Sequence, residues 1–326
     1  MSFILTEEQE ELLALVRKFS EKEILPYAHQ MDVEAHFVPG LIQKIADLGF
    51  MGINVPEEYG GVGADEVTKA LVIMEFAKYD ASVAELLAVH TLSSDIILKH
   101  GTPEQKEKYL TKACTGAVGA FALTEPNAGS DAAAAKTKAI SQGDEYIING
   151  SKCFISNMGQ DEGDYVILIV LTDPEKKTKG MSAIIVDRDT PGFTVPKTED
   201  KMGLRAAPVS ELYFDECHVP KSQLLGEEGK GFAIAMAGLD GGRIGMASQA
   251  VGLAESCIAE SVEYSTQRVQ FGKPVNANQG LQWYLADMAT KTEAAKALTL
   301  NAAALRQAGK NITKEAAMAK NYASET

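Results

Sequence analysis

At roughly 150 residues per domain, the 326-residue chain has room for about two domains. Its 45% hydrophobic and 23% charged residues exclude wholesale disorder. Lys and Arg number 31 against 45 Asp and Glu, a formal net charge of −14 that repels nucleic acid and anionic membranes as general partners. Cys114, Cys153, Cys217 and Cys257 are scattered with no CxxC pair, which predicts neither a disulfide framework nor a zinc site.

The N-terminus, MSFILTEEQEE, turns acidic before any long apolar run forms and does not read as a secretory signal. No stretch reads as long and apolar enough for a transmembrane helix, so the expectation is a soluble, cytoplasmic chain. Residues 1–118 read as a helical block. Thr6 followed by Gln9 has the capping-box pattern, and Leu12, Leu15, Val16 and Phe19 recur on one helical face. Segments 41–48 and 66–79 show the same period, with Gly60 and Gly61 between them. Thr102, Pro103 and Gln105 mark another helix start.

The period changes over 119–227. Short β-branched runs at 145–149, 164–171, 181–187 and 210–215 alternate with turn signals such as Gln142-Gly143-Asp144. No long amphipathic helix separates them, which predicts an antiparallel barrel or sandwich. From 228 to 326 the pattern returns to helix. Alanine-rich segments at 230–265 and 279–308 flank a break carrying Gly272 and Pro274, and a third helix starts near Thr313. That helical pattern still runs at Thr326 with no stop signal, so the C-terminal helical domain reads as truncated. The fold class expected is α+β multidomain, with domains at 1–118, 119–227 and 228–326.

Four segments have residues suited to chemistry. In FALTEPNAGSD, 121–131, Gly129 lets the backbone approach a ligand, and the hydroxyls of Thr124 and Ser130 suit a polar ring edge or a phosphate. A β-turn with helix-capping residues accounts for the same pattern. In KCFISN, 152–157, Phe154 beside Ser156 can pack on a planar cofactor, but by pattern alone a buried strand with one core aromatic is the better reading. Gly241 and Gly242 sit in a long helix between Asp240 and Arg243, where they leave room either for a ligand or for a close helix crossing. Arg268, Gln270, Phe271 and Lys273 surround Gly272, as a pyrophosphate clamp or as a solvated basic loop. No GxGxxG, P-loop, HExxH or GxSxG occurs, and the five histidines show no ligand spacing.

Taken in order, six segments resemble the acyl-CoA dehydrogenase family, closest to its short-chain, butyryl-CoA dehydrogenase-like members. They are GINVPEEYGG (52–61), LTEPNAGSD (123–131), NGSKCFISN (149–157), DKMGLR (200–205), LLGEEGKGF (224–232) and QRVQFGKP (267–274). The resemblance implies FAD as cofactor, an acyl-CoA substrate, an electron-transferring flavoprotein as partner, and a homotetramer built as a dimer of dimers. It implies that Phe121, Leu123, Thr124, Gly129 and Ser130 line the flavin, with Ser130 also near the substrate. Phe154, Ile155 and Ser156 match positions against the isoalloxazine, where many relatives carry tryptophan and threonine. Arg268, Gln270, Phe271 and Gln279 match positions that reach a neighbouring subunit's FAD, and Asp240 and Arg243 match contacts to the CoA thioester arm.

The resemblance assigns the catalytic base of short-chain members to a glutamate in a C-terminal segment, which here would lie beyond Thr326. The alternative position used by branched- and long-chain relatives is Gly242, which has no side chain. The function implied is therefore FAD-dependent α,β-dehydrogenation of a short-chain acyl-CoA, or enoyl-CoA reduction in reverse, with no base among these residues. An acyl-CoA oxidase or flavin monooxygenase on the same scaffold, and a non-catalytic fragment that binds FAD or CoA, are the competing expectations.

Overall fold

The computed structural model describes residues 4–159 and 162–326. Six helices come first: α1 Glu7–Glu23, α2 Ala28–Glu34, α3 Leu41–Asp47, α4 Glu66–Ala77, α5 Ala81–His100 and α6 Pro103–Cys114. Eight strands follow: β1 Gly119–Ala122, β2 Lys138–Gln142, β3 Glu145–Ser156, β4 Tyr165–Leu171, β5 Met181–Asp187, β6 Phe193–Thr198, β7 Val209–Pro220 and β8 Leu224–Leu225. The long helix α7 Gly231–Gln267 leads through the two-residue strands β9 Val269–Gln270 and β10 Lys273–Pro274 to α8 Gln279–Gln307 and α9 Thr313–Glu325. This is the fold class expected from the sequence: helices, a β-domain, then helices.

Both capping boxes form. The Thr6 hydroxyl accepts from the Gln9 N–H at 3.2 Å while the Gln9 side chain accepts from the Thr6 N–H at 3.1 Å. Thr102 and Gln105 repeat the arrangement at 3.2 and 3.0 Å, satisfying N–H groups that a first turn otherwise leaves open. The buried face of α1 is Leu13, Val16, Phe19 and Ser20. Leu15, placed on that face by the sequence pattern, is 39% exposed.

The chain divides into two compact units. The first comprises Met1–His29, Asp65–Ala88 and Asp240–Thr326. Its helices cross closely: a Cβ on Gly252 of α7 would stand 2.0 Å from the Met74 carbonyl oxygen of α4, so only glycine fits. An alternating charge chain ties four helices. Arg17 pairs with Glu75 at 2.8 Å, Glu75 with Lys78 at 2.9 Å, and Glu255 with both Lys78 and Lys296 at 2.8 Å.

The second unit comprises Gln30–Ala64 and Val89–Leu239. Its sheet runs in the order β6-β7-β3-β2-β4-β5-β8, with β1 pairing β4 in parallel. The long ladders β2–β3, β3–β7, β4–β5 and β6–β7 are antiparallel, as the short β-branched runs predict. Among the described residues the path is open, not a closed barrel. Strands β1, β2 and β6 are additions to the sequence reading, which had no β-branched run to mark them. β4 and β5 are buried on both faces. Ile167, Ile169, Ala183 and Ile185 join one core cluster, while Val166, Leu168, Val170, Ile184 and Val186 join the other. That double burial is why both read as continuous apolar runs, not as alternation.

Helix α5 corrects one expectation. It is long and apolar enough to cross a membrane by length and composition, although 78% of that window is buried inside the protein. Burial of this kind is the mark of a core helix.

Candidate functional site

Within the second unit, the 121–131 and 152–157 segments are joined edge to edge. β1 ends at Ala122 and the chain continues through Leu123 and Thr124 into a tight turn. Glu125 and Ala128 close it with reciprocal backbone bonds of 3.2 and 3.0 Å, leaving Pro126 and Asn127 at the corner. Beyond the turn Gly129 and Ser130 are exposed, Phe121 and Thr124 half-buried, and Leu123 buried. A Cβ on Gly129 would meet nothing within 4 Å, so this backbone faces open space.

The Cys153 N–H donates to the Thr124 carbonyl at 3.0 Å and ties β3 to the turn. Between Lys152 and Ile155 the pairing of β3 with β7 slips: Lys152 faces Leu212 and Ile155 faces Ser210. One extra residue on β3 is a bulge. Phe154 occupies it with φ of +58°, and the residue is 67% exposed. Ile155 is 2% exposed and Ser156 half-buried. The reading of Phe154 as a core aromatic is therefore overturned: the bulge turns its side chain out of the strand's packing alternation. The paired interpretation, an aromatic presented beside hydroxyls, is the one the geometry supports.

Under this surface lies a buried ion pair that sequence reasoning did not single out. The Lys152 ammonium, fully buried, donates to the Glu125 carboxylate at 2.8 Å and to the Leu123 carbonyl at 3.0 Å. The Glu125 carboxylate also accepts the Lys136 N–H at 2.6 Å and the Thr137 N–H at 3.0 Å. Burial pushes the Glu125 carboxyl up, but the ammonium and the two N–H groups outweigh it and hold it below its usual range. Burial lowers Lys152 from its ordinary value, against the pull of Glu125. The available signal was a lysine at an inward-facing strand position with a glutamate one residue past a hydroxyl.

A second buried polar group braces β1. The Gly119 N–H donates to His90 Nδ1 at 3.2 Å, so the ring proton sits on Nε2, 2.9 Å from the Met51 carbonyl. Full burial drives the pKa of His90 from 6.5 to about 4, keeping it neutral.

The remaining predicted residues lie in the first unit. Asp240 and Arg243 are hydrogen-bonded to each other one helical turn apart, and Asp240 also accepts the Thr313 hydroxyl at 2.6 Å. A Cβ on Gly241 would stand 2.1 Å from the Arg306 guanidinium, so the space beside this glycine is filled by α8. What meets it is the far end of the flexible Arg306 side chain, not the α8 backbone. Arg268, Gln270, Phe271 and Gln279 surround the β9–β10 hairpin and are all exposed. Phe271, with φ of +51°, and Gly272, with φ of +76°, form its two-residue tip, and Phe271 is fully exposed.

Comparison with known proteins decides the family. Residues 6–117, 120–217 and 229–326 match the N-terminal, middle and C-terminal domain models of acyl-CoA dehydrogenase. The acryloyl-CoA reductase (NADH) of Anaerotignum propionicum is 51% identical, an alignment covering 100% of this chain and 83% of that protein. The chain belongs to the acyl-CoA dehydrogenase family. Among solved structures, butyryl-CoA dehydrogenase from Megasphaera elsdenii superposes with a TM-score of 0.96 at 45% identity, covering 100% of this chain and 86% of that one. A chain from work on the electron transferring flavoprotein of Acidaminococcus fermentans and flavin-based electron bifurcation gives 0.97 at 45% identity, with the same coverage.

Proposed function

We propose that this chain works as a flavoenzyme on short-chain acyl-CoA thioesters, removing hydrogen across the α and β carbons or adding it back to an enoyl-CoA. The observation that carries the reading is the outward Phe154 bulge locked beside the Thr124–Ser130 turn, in a chain similar to butyryl-CoA dehydrogenase and acryloyl-CoA reductase over its whole length.

The donor set suits FAD: an exposed aromatic face, the hydroxyls of Thr124, Ser130 and Ser156, and open backbone at Gly129. When bound, FAD supplies the two-electron acceptor for the hydride leaving the β-carbon. The protein's tasks are then positional. Phe121 and Thr124 would line the ring together with Phe154 and Ser156, Leu123 and Ile155 would meet it through backbone because their side chains are buried, and Gly129 and Ser130 would offer backbone and hydroxyl to its polar parts. Ser130 also meets the thioester. Arg268, Gln270, Phe271 and Gln279, exposed on one unit, reach the FAD of a neighbouring subunit in a homotetramer. Asp240 and Arg243 contact the CoA arm, held in place by their mutual bond and Thr313.

Proton removal from the α-carbon needs a carboxylate within hydrogen-bond reach. Gly242 has no side chain to offer, and Glu125 is committed to Lys152 and two backbone N–H groups. Neither residue is therefore the base in this reading. Electrons leave to an electron-transferring flavoprotein, and the enzyme works in the cytoplasm. The test is equilibrium dialysis of the chain against FAD, followed by addition of butyryl-CoA. Retained flavin whose visible spectrum shifts with butyryl-CoA but not with free CoA supports the reading. A chain that retains no flavin, or flavin blind to any acyl-CoA, overturns it.

A further inference from the structure

We propose that Glu125 and Lys152 form a buried positioning pair whose task is to hold the 124–130 turn and the Phe154 bulge in one fixed register beneath the cofactor. The inference rests on the flavoenzyme reading above and assigns work to two residues that touch neither FAD nor substrate in that reading.

The pair joins both flavin-facing segments to each other and to the 136–137 backbone that leads into β2. Lys152 is the last regularly paired residue of β3 before the bulge, opposite Leu212. Its ammonium reaches across to the Leu123 carbonyl, next to Thr124, and to the carboxylate at the root of the turn. Through its two oxygens that carboxylate fixes the backbone of Lys136 and Thr137. The Thr137 hydroxyl donates in turn to the Ser151 carbonyl at 3.1 Å, returning the network to β3. The loop of contacts closes on itself: 123–125, 136–137 and 151–153 move together or not at all.

Such a device is needed because the bulge is strained. A phenylalanine at φ of +58° is unfavourable, since its Cβ crowds the backbone in the left-handed region. Slipping β3 by one residue would relieve it, and would send Ile155 outward and Phe154 into the core. A buried ion pair is a poor way to add stability, because desolvation consumes most of the attraction. It is an effective way to forbid slippage, because any shift leaves a charge buried and unpaired.

The experiment compares four chains: wild type, Lys152→Met, the double variant Glu125→Gln with Lys152→Met, and Gln105→Ala. Gln105 donates to the Ser222 and Leu224 carbonyls in the same unit, so its loss destabilises that unit without touching the pair. Three quantities are measured: melting temperature without cofactor, the dissociation constant for FAD by dialysis, and the visible spectrum of bound flavin. The double variant strands no lone charge, although its amide NH2 must face one of two backbone N–H donors; it should melt no lower than Gln105→Ala yet bind FAD about tenfold more weakly with an altered flavin band. Gln105→Ala should melt lower with FAD affinity and spectrum unchanged. If Lys152→Met does not fold, the double variant alone decides. The proposal is overturned if the double variant restores affinity and spectrum along with stability, or if Gln105→Ala weakens FAD as much at equal loss of stability. Wild type that retains no FAD would instead remove the flavoenzyme reading, and this inference with it.

Discussion

Acid should unfold this protein partly through one buried imidazole. His90 is fully buried and neutral, with Nδ1 accepting from Gly119 and Nε2–H directed at Met51. Its pKa falls from 6.5 to about 4 because burial penalises the charged ring. The unfolded chain therefore takes up the proton before the folded one does. The stability His90 contributes is present above 6.5 and is lost as pH falls toward 4. At about 1.4 kcal/mol per pH unit, the loss between about pH 7.5 and about pH 4.5 comes to about 2.5 kcal/mol. His90→Gln isolates it: glutamine offers a donor and an acceptor but does not titrate. Urea unfolding at the two pH values should show wild type more stable at the higher pH, with the gap to His90→Gln shrinking by about 2.5 kcal/mol at the lower one. Carboxylates titrate alike in both chains and cancel in that difference. If wild type and variant lose stability in parallel, the imidazole is not held neutral by burial and the argument fails.

Glu255→Ala takes from Lys296 the carboxylate it binds at 2.8 Å and leaves Lys78 with Glu75 alone; thermal melts should show a loss of about 1 kcal/mol, and no loss would mean the charge chain is ornamental. Gly252→Ala should destabilise by about 2 kcal/mol, because its methyl would collide with the Met74 carbonyl, despite alanine's better helix propensity. Gly280→Ala, in the first turn of α8 with open space around it, should gain up to about 1 kcal/mol; equal effects at the two glycines would contradict the packing account.

Much of the fold is legible in the sequence because local signals agree with tertiary packing. The Thr6–Gln9 and Thr102–Gln105 boxes form where the residues predict, and the helix at 279–308 differs from α8 by a single residue. β5 coincides with the apolar run at 181–187. Strands β1 and β6 escape notice since GAFA has too little side-chain mass to show a period, and FTVPKT is half exposed and interrupted by proline. The apolar length of α5 was under-read because Ser82, Glu85, His90, Ser93 and Ser94 break up the run, although all are buried. At the candidate site, hydroxyls and glycine were readable, but the direction of Phe154 was not. Direction there depends on a bulge relative to β7, a strand more than 50 residues away in the chain, and no local pattern encodes that register. The Glu125–Lys152 pair hides for the same reason: each residue looks solvated until the sheet brings them together.

The central claim is acyl-CoA chemistry on bound FAD, with neither Gly242 nor Glu125 as the proton acceptor. Anaerobic addition of butyryl-CoA to the FAD-loaded chain, beside the same chain carrying the Megasphaera elsdenii C-terminal segment, tests it directly. The account predicts that flavin absorbance bleaches in the chimera, while the 326-residue chain shows the band shift of ligand binding without bleaching, since a positioned base is worth roughly 10²–10⁴-fold in rate. Bleaching of the 326-residue chain at the chimera's rate would show that the base lies among the residues described. A chimera that binds FAD but is not bleached by any short-chain acyl-CoA, nor reoxidised by an enoyl-CoA after chemical reduction, would contradict the assigned function itself.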